Sequence, residues 1–195
     1  MSVPVFPATI EVPLHNPRTS RPYTLVRADA LEVTPARLTE MVAASNEPAV
    51  YGWLWRERLE GQPYPTSKAE EFFGWARAGW RDGTHFVFLI LAGEGGDGPL
   101  AGALDIKSAD LGHDGGEGAE IGYLLRAEHS GAMTPAVLAL QTLAQDAGYR
   151  SLWARVRPGN ERSRRVLERA GFREVGEMDS EGHRCTRHEL SLGPG

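Results

Sequence analysis

The sequence predicts a mixed α/β fold: a single domain with a largely antiparallel central sheet flanked by helices. Three observations carry that reading. Short apolar segments bounded by glycine and proline mark strands, while other segments repeat their apolar residues at helical spacing. Thr84–Ala92 (THFVFLILA) is almost continuously apolar, as expected of a strand buried on both faces. The elements run strand, two helices, three strands, helix, strand, helix, strands, which is not the strict βα alternation of a doubly wound dinucleotide fold.

Taken in order, residues 1–22 are proline-rich without helical periodicity and are expected to form an N-terminal arm leading into a domain at residues 23–195. Thr9–Leu14 and Tyr23–Arg27 read as strands joined by the turn HNPRTSRP. Thr34 caps a first helix and Pro35 takes its first position, where a missing N–H costs nothing. An aromatic loop, YGWLWRERLEGQPYP, is expected next. A second helix is expected to open at Ser67, with Ser67 and Glu70 as a capping box and Phe73, Ala76 and Trp80 as its apolar stripe. Thr84–Ala92 and Leu100–Lys107 form a hairpin across the turn GEGGDGP. A glycine-rich loop from Gly112 to Gly118 leads to the strand Ala119–Leu125. Met133, Ala136, Val137, Leu140, Leu143 and Ala144 share one face of a long helix ended by Gly148. The Thr134-Pro135 step biases Thr134 away from helical geometry, so regular helix is expected from Pro135. Ser151–Val156 is a strand, and Asn160–Ala170 is a helix closed by Gly171 and Phe172. Two last strands are expected near Arg173–Met178 and Thr186–Leu192.

Composition narrows the function classes. A chain of 195 residues fits one large domain and buries a core without staples. The net charge of −5 disfavours bulk nucleic-acid binding. No segment approaches the roughly 20 apolar residues of a membrane span, and the first residues do not read as a secretory signal. Cys185 is the single cysteine, which suits a reducing compartment, so a cytoplasmic location is expected. Lys68 and Lys107 are the only lysines among 21 basic residues. The remainder are arginines, whose planar forks suit phosphates and carboxylates.

Three segments together resemble the GNAT superfamily of N-acetyltransferases, and within it the RimJ/RimL-type branch that acts on ribosomal-protein N-termini. They are LAGALDI after the hairpin, AEIGYLL, and VRPGNERSRRVLERAGF, the last matching at Asn160, Ser163, Val166, Leu167, Gly171 and Phe172. The resemblance spans residues 23–192 and implies acetyl-CoA as co-substrate, an amine acceptor (a protein N-terminus or a small molecule), and no metal. Homodimerisation is left open. One element departs from the family pattern. The pyrophosphate loop, usually Q/R-x-x-G-x-G/A, reads Arg126-Ala-Glu-His129-Ser130-Gly131, with His129 in place of a glycine and Pro135 shortly after. Such a loop binds phosphate through free backbone N–H groups at a helix N-terminus. His129 is either an ordinary loop residue or one that blocks close approach or itself donates to phosphate.

The resemblance gives Leu124, Leu125, Arg126, His129, Ser130, Gly131, Ala132, Met133, Asn160, Ser163 and Arg165 as candidate cofactor contacts. Glu120 is either a solvated carboxylate or the general base that takes the amine proton, directly or through water. Asn160 is either a plain helix cap or a contact to the pantetheine arm. Arg162, Arg164, Arg165 and Arg169 form either a solvated face or a phosphate-binding cluster. Many family members use a tyrosine as general acid where this chain has Leu167, so the acid falls to Ser163, Tyr123 or water. Backbone N–H groups near Tyr123–Leu125 would stabilise charge on the thioester oxygen. Trp53, Trp55, Trp75 and Trp80 are either ordinary core packing or, as the resemblance implies, the wall of the acceptor site, where Glu57 and Glu60 nearby would suit a cationic amine. Three rival readings stay open: an aminoglycoside or polyamine acetyltransferase, a non-catalytic acyl-CoA-binding module, and a scaffold with no role for CoA.

Overall fold

A computed structural model of the chain describes residues 3–113 and 116–193. Residues 114 and 115 of the glycine-rich loop lie outside the described residues. The strands are β1 (Glu11–His15), β2 (Pro22–Arg27), β3 (Phe86–Ala92), β4 (Leu100–Ile106), β5 (Ala119–Leu125), β6 (Ser151–Val156), β7 (Arg173–Ser180) and β8 (His183–Ser191). The helices are α1 (Pro35–Asn46), α2 (Pro48–Leu54), α3 (Thr66–Asp82), α4 (Met133–Asp146) and α5 (Glu161–Arg169). The strands form one eight-stranded sheet in the order β1-β2-β3-β4-β5-β6-β8-β7. Every neighbouring pair is antiparallel except β5 and β6, which run parallel.

The apolar run of β3 explains the layering. Successive strand residues face opposite ways. Phe86, Phe88 and Ile90 join one core with Ala136, Val137 and Leu140 of α4. Val87, Leu89 and Leu91 join the other with Met41 of α1 and Phe73 and Ala76 of α3. β1 extends the sheet, with Leu14 buried. Ahead of it, Phe6 packs 4.6 Å from Phe86 and 5.4 Å from Trp80, ring centre to ring centre.

Several local expectations hold for the stated reasons. Thr34 Oγ1 accepts from Arg37 N–H at the start of α1, and Asn160 Oδ1 accepts from Ser163 N–H at the start of α5. Gly171, at φ 87°, ends α5, and Phe172 N–H reaches back to the Leu167 carbonyl at 3.0 Å.

Others are corrected. The aromatic segment is not all loop: Pro48 at the first helical position starts α2, a helix too short to show periodicity. The capping box at Ser67 does not form. α3 begins one residue earlier, behind Pro65, with no side-chain cap. α4 begins at Met133, not Pro135. Proline is tolerated at the third helical position because that N–H has no intrahelical partner. The strand expected from Thr84 begins at Phe86, and the last two strands are longer than expected.

Gly79 of α3 marks a close approach of the helix to the segment that follows it. The His85 ring stacks on Trp75 at 4.1 Å and its Nε2 lies 2.8 Å from the Trp75 carbonyl oxygen. A Cβ at Gly79 would collide with both the His85 ring and the His85 carbonyl. Gly79→Ala should therefore lower stability by about 1–3 kcal/mol despite alanine's better helix propensity. Urea unfolding of the two proteins checks this; an unchanged or higher midpoint would show that His85 moves aside freely.

Candidate active site

The site begins where the sheet opens. β5 and β6 pair only at Ala119–Leu152 and Glu120–Trp153, although β5 continues to Leu125 and β6 to Val156. Beyond Glu120 the two strands have no paired positions. On its other side β5 stays paired with β4: Lys107 N–H donates to Glu120 O at 2.8 Å, and Arg126 N–H donates to Ala101 O at 2.9 Å. Even-numbered residues of β5 therefore turn their backbone groups toward β4. Tyr123 and Leu125 turn theirs toward the opening.

A cleft of about 320 Å³ lies between the end of β5, the start of α4 and one face of α5. The turn from Arg126 to Ala132 closes on itself through His129 N–H to Arg126 O, Ser130 N–H to Ala127 O and Ala132 N–H to His129 O. The N–H groups of Gly131, Met133 and Thr134 have no backbone partner among the described residues, and these three residues line the cleft. Arg162, Arg165 and Arg169 line it from α5 and form no ion pair among the described residues. Arg164 instead pairs with Glu161 and Glu168, so it is a surface residue. Unpaired N–H groups, unpaired guanidinium groups and an open strand edge together fit a diphosphate ester that carries an amide-containing arm.

Two loop residues sit differently from expectation. His129 is 8% exposed and does not line the cleft. Its Nδ1 hydrogen-bonds Tyr23 OH at 3.1 Å, and burial pushes its pKa below the ordinary histidine value. It neither blocks the cleft nor donates into it. Arg126 does line the cleft, but its guanidinium is held by Glu47 at 3.1 Å and Glu128 at 2.9 Å. Glu47 also accepts Ala127 N–H at 2.7 Å. Ala132 is fully buried behind the turn.

A second cleft, about 650 Å³, opens on the other side of β5. Tyr123, Leu124, Asn160, Ser163, Trp53 and Leu54 border both clefts. At the junction Tyr123 OH lies 2.8 Å from Ser163 Oγ, and burial holds the phenol well above its usual pKa. Trp53, Trp55, Tyr64, Phe72 and Trp75 wall the second cleft. Glu120 reaches it with Oε1 3.3 Å from Lys107 Nζ and 3.1 Å from Arg155 Nε.

Three expected acceptor residues are elsewhere. Trp80 packs in the core against Phe6, Phe86 and Phe88, and its Nε1–H donates to Val87 O at 2.9 Å. Glu57 and Glu60 lie outside the cleft, Glu57 bound to Arg157 and His183. Sequence reading also missed Asp105, which borders the same cleft. Only 15% of its side chain is exposed, and it accepts Gly122 N–H at 3.1 Å and sits 3.6 Å from Lys107 Nζ. Its signal was present as the lone charge interrupting LAGALDI.

The sequence matches the acetyltransferase (GNAT) domain family over residues 31–173. The chain belongs to the GNAT acetyltransferases. Like that family, it uses acetyl-CoA as its acetyl donor. Among solved structures it is similar to Mycobacterium smegmatis RimJ in complex with CoA-disulfide, at 25% identity over 97% of this chain and 90% of that one, with a TM-score of 0.65. RimL, described as a ribosomal L7/L12 α-N-protein acetyltransferase in complex with coenzyme A, is 15% identical over 97% and 98%, with a TM-score of 0.68. The microcin C7 self-immunity acetyltransferase MccE, in complex with acetyl-CoA and AMP, is 15% identical over 87% and 92%, with a TM-score of 0.67. A search of curated proteins found no match. No helix among the described residues of this GNAT chain is long and apolar enough to cross a membrane.

Burial raises the Asp105 carboxyl above its ordinary value; Lys107 opposes the shift and Glu120 adds to it. The folded state therefore keeps this proton where the unfolded chain has released it. The stability that goes with it is complete below the unfolded pKa of about 3.9 and is lost as pH rises through the folded value. Asp105→Asn, which cannot ionise, should gain in melting temperature relative to the parent protein as pH rises from about 3 to 7. A pH-independent difference between the two would remove the raised carboxyl from this account.

Proposed function

We propose that acetyl passes directly from acetyl-CoA, held in the first cleft, to an amine entering through the second, and that the acceptor is the α-amine of a protein N-terminus. The observation that carries this is the meeting of the two clefts at Tyr123, Asn160 and Ser163, where β5 parts from β6. Acetyl-CoA supplies an activated thioester; this chain's residues orient it and move protons. The open edge of β5 pairs with the amide-bearing arm, and its N–H groups near Tyr123–Leu125 stabilise the charge that develops on the thioester oxygen. Asn160, capping α5 with its side-chain oxygen, keeps its amide nitrogen for the arm.

The amine must lose a proton to attack. Glu120 is the proposed base, fixed by Lys107 and Arg155 at the mouth of the acceptor cleft, with Asp105 beside it across Lys107. The Tyr123 phenol, kept neutral by burial and bonded to Ser163, is the proposed donor to the departing thiolate. Leu167, where many relatives carry tyrosine, is fully buried and has no proton to give.

The aromatic cleft supports a peptide acceptor by its volume and its apolar wall, which suit several residues of chain. The likeness to RimJ and RimL supports the same choice. The AMP bound to MccE makes a small acceptor the reading to test against. Thiol release measured across N-terminal peptides, polyamines and aminoglycosides decides it: peptides should turn over fastest, and a faster small amine would overturn the choice. On the best acceptor, Glu120→Gln should lower kcat by about 10²–10⁴-fold and Tyr123→Phe by roughly tenfold or more, with acetyl-CoA affinity unchanged. Turnover within threefold of the parent for Glu120→Gln would make Glu120 a cleft ion pair and no more.

A further inference from the structure

The GNAT match starts at residue 31, yet the β1–β2 hairpin before it reaches the phosphate-binding end of the first cleft. Asn16, 1% exposed, donates from Nδ2 to Ser130 O at 3.1 Å. Its Oδ1 accepts Arg18 N–H at 3.0 Å, and its backbone closes the hairpin turn with Arg21 and Ser20. Gly131 has φ 107°, and a Cβ there would collide with the Asn16 carboxamide, so turn and hairpin fit against each other closely. Lower in the hairpin, buried Tyr23 holds His129.

The outcome of this docking is the position of Arg18. It lines the first cleft beside Ser130 and Gly131, and its guanidinium has no ion-pair partner among the described residues. The loop's own cation, Arg126, is occupied by two carboxylates. Pro135 has no N–H to give. The phosphate turn thus lacks one free cation and one donor, and an arginine fork stands at its edge.

We propose that Arg18 binds the pyrophosphate of acetyl-CoA, with Asn16 as the residue that positions it, so that the N-terminal hairpin is part of the cofactor site. This rests on reading the first cleft as the place where acetyl-CoA binds. The pyrophosphate is favoured over the 3′-phosphate because Arg18 stands beside the unpaired N–H of Gly131, whereas Arg162, Arg165 and Arg169 occupy the opposite wall.

Calorimetric titration of CoA and of 3′-dephospho-CoA into the full-length protein and its Arg18→Gln and Arg18→Lys variants tests it. Arg18 is exposed, so its replacement leaves folding intact, which the melting temperature verifies. Arg18→Gln should weaken both ligands by the same factor, about 10- to 100-fold, and should reduce the dependence of affinity on salt; Arg18→Lys should recover part of the loss. Equal affinity in parent and Arg18→Gln overturns the proposal. A loss confined to CoA, with 3′-dephospho-CoA unaffected, moves Arg18 to the 3′-phosphate and also overturns it. If CoA binds the parent while Arg162→Gln and Arg165→Gln also leave affinity unchanged, the reading of the cleft itself falls, a result distinct from failure of Arg18 alone.

Discussion

Everything at the centre of this protein depends on the parting of β5 and β6. A sheet satisfies its backbone groups by pairing, and an interior strand that stops pairing after two positions leaves donors and acceptors in want of a partner. Here β5 stays paired with β4 from Ile121 to Leu125 while β6 pairs with β8. At the opening Tyr123 of β5 hydrogen-bonds Ser163 of α5. The parting exposes a strand edge to a ligand, and it joins two clefts that a continuous sheet would separate. Direct transfer between two bound molecules needs such a passage, because the reacting atoms must come within about 3–3.5 Å of each other.

Charge is arranged locally, not by total. The chain is net negative, yet the cleft proposed to receive the phosphates is edged by arginines. The distinction lies in which arginines are already engaged. Arg155, Arg157 and Arg164 are tied to carboxylates, as is Arg126. Arg18, Arg162, Arg165 and Arg169 face the first cleft without ion-pair partners among the described residues. In the second cleft Lys107, just past the end of β4, lies 3.6 Å from Asp105 and 3.3 Å from Glu120 on β5. An amine arriving there meets fixed dipoles and aromatic faces more than a net field.

Much of this was legible in the sequence because the signals were local and redundant. The apolar run of β3, the Thr34-Pro35 start of α1 and the Asn160–Phe172 helix each specify their structure within a few residues. The candidate site was legible where it follows a motif: Glu120, Tyr123, Asn160 and Ser163 all reach the clefts. What the sequence hid depends on distant packing. His129 reads as an intruder in a phosphate loop until Tyr23, 106 positions earlier, is seen to take it into the core. Trp80 reads as one more aromatic in an aromatic region, but its place on α3 turns it to Phe6 and Phe88. Glu57 lost its expected role to His183 and Arg157, neither of them near it in sequence. α2 was missed because seven residues hold too little periodicity to register.

The bond between Asn16 and Ser130 joins residues 114 positions apart, and that between Glu47 and Arg126 spans 79. Closing loops of that length costs entropy before the contacts repay it, so such pairings form late as a chain folds. During synthesis β1 and β2 emerge long before the turn they brace: β3 comes early enough to pair with β2, but Asn16 has no Ser130 to meet until the chain past β5 has been made. A chain cut short before Ser130 can still lay the hairpin against β3, but it lacks the carbonyl that fixes Asn16 beside the first cleft.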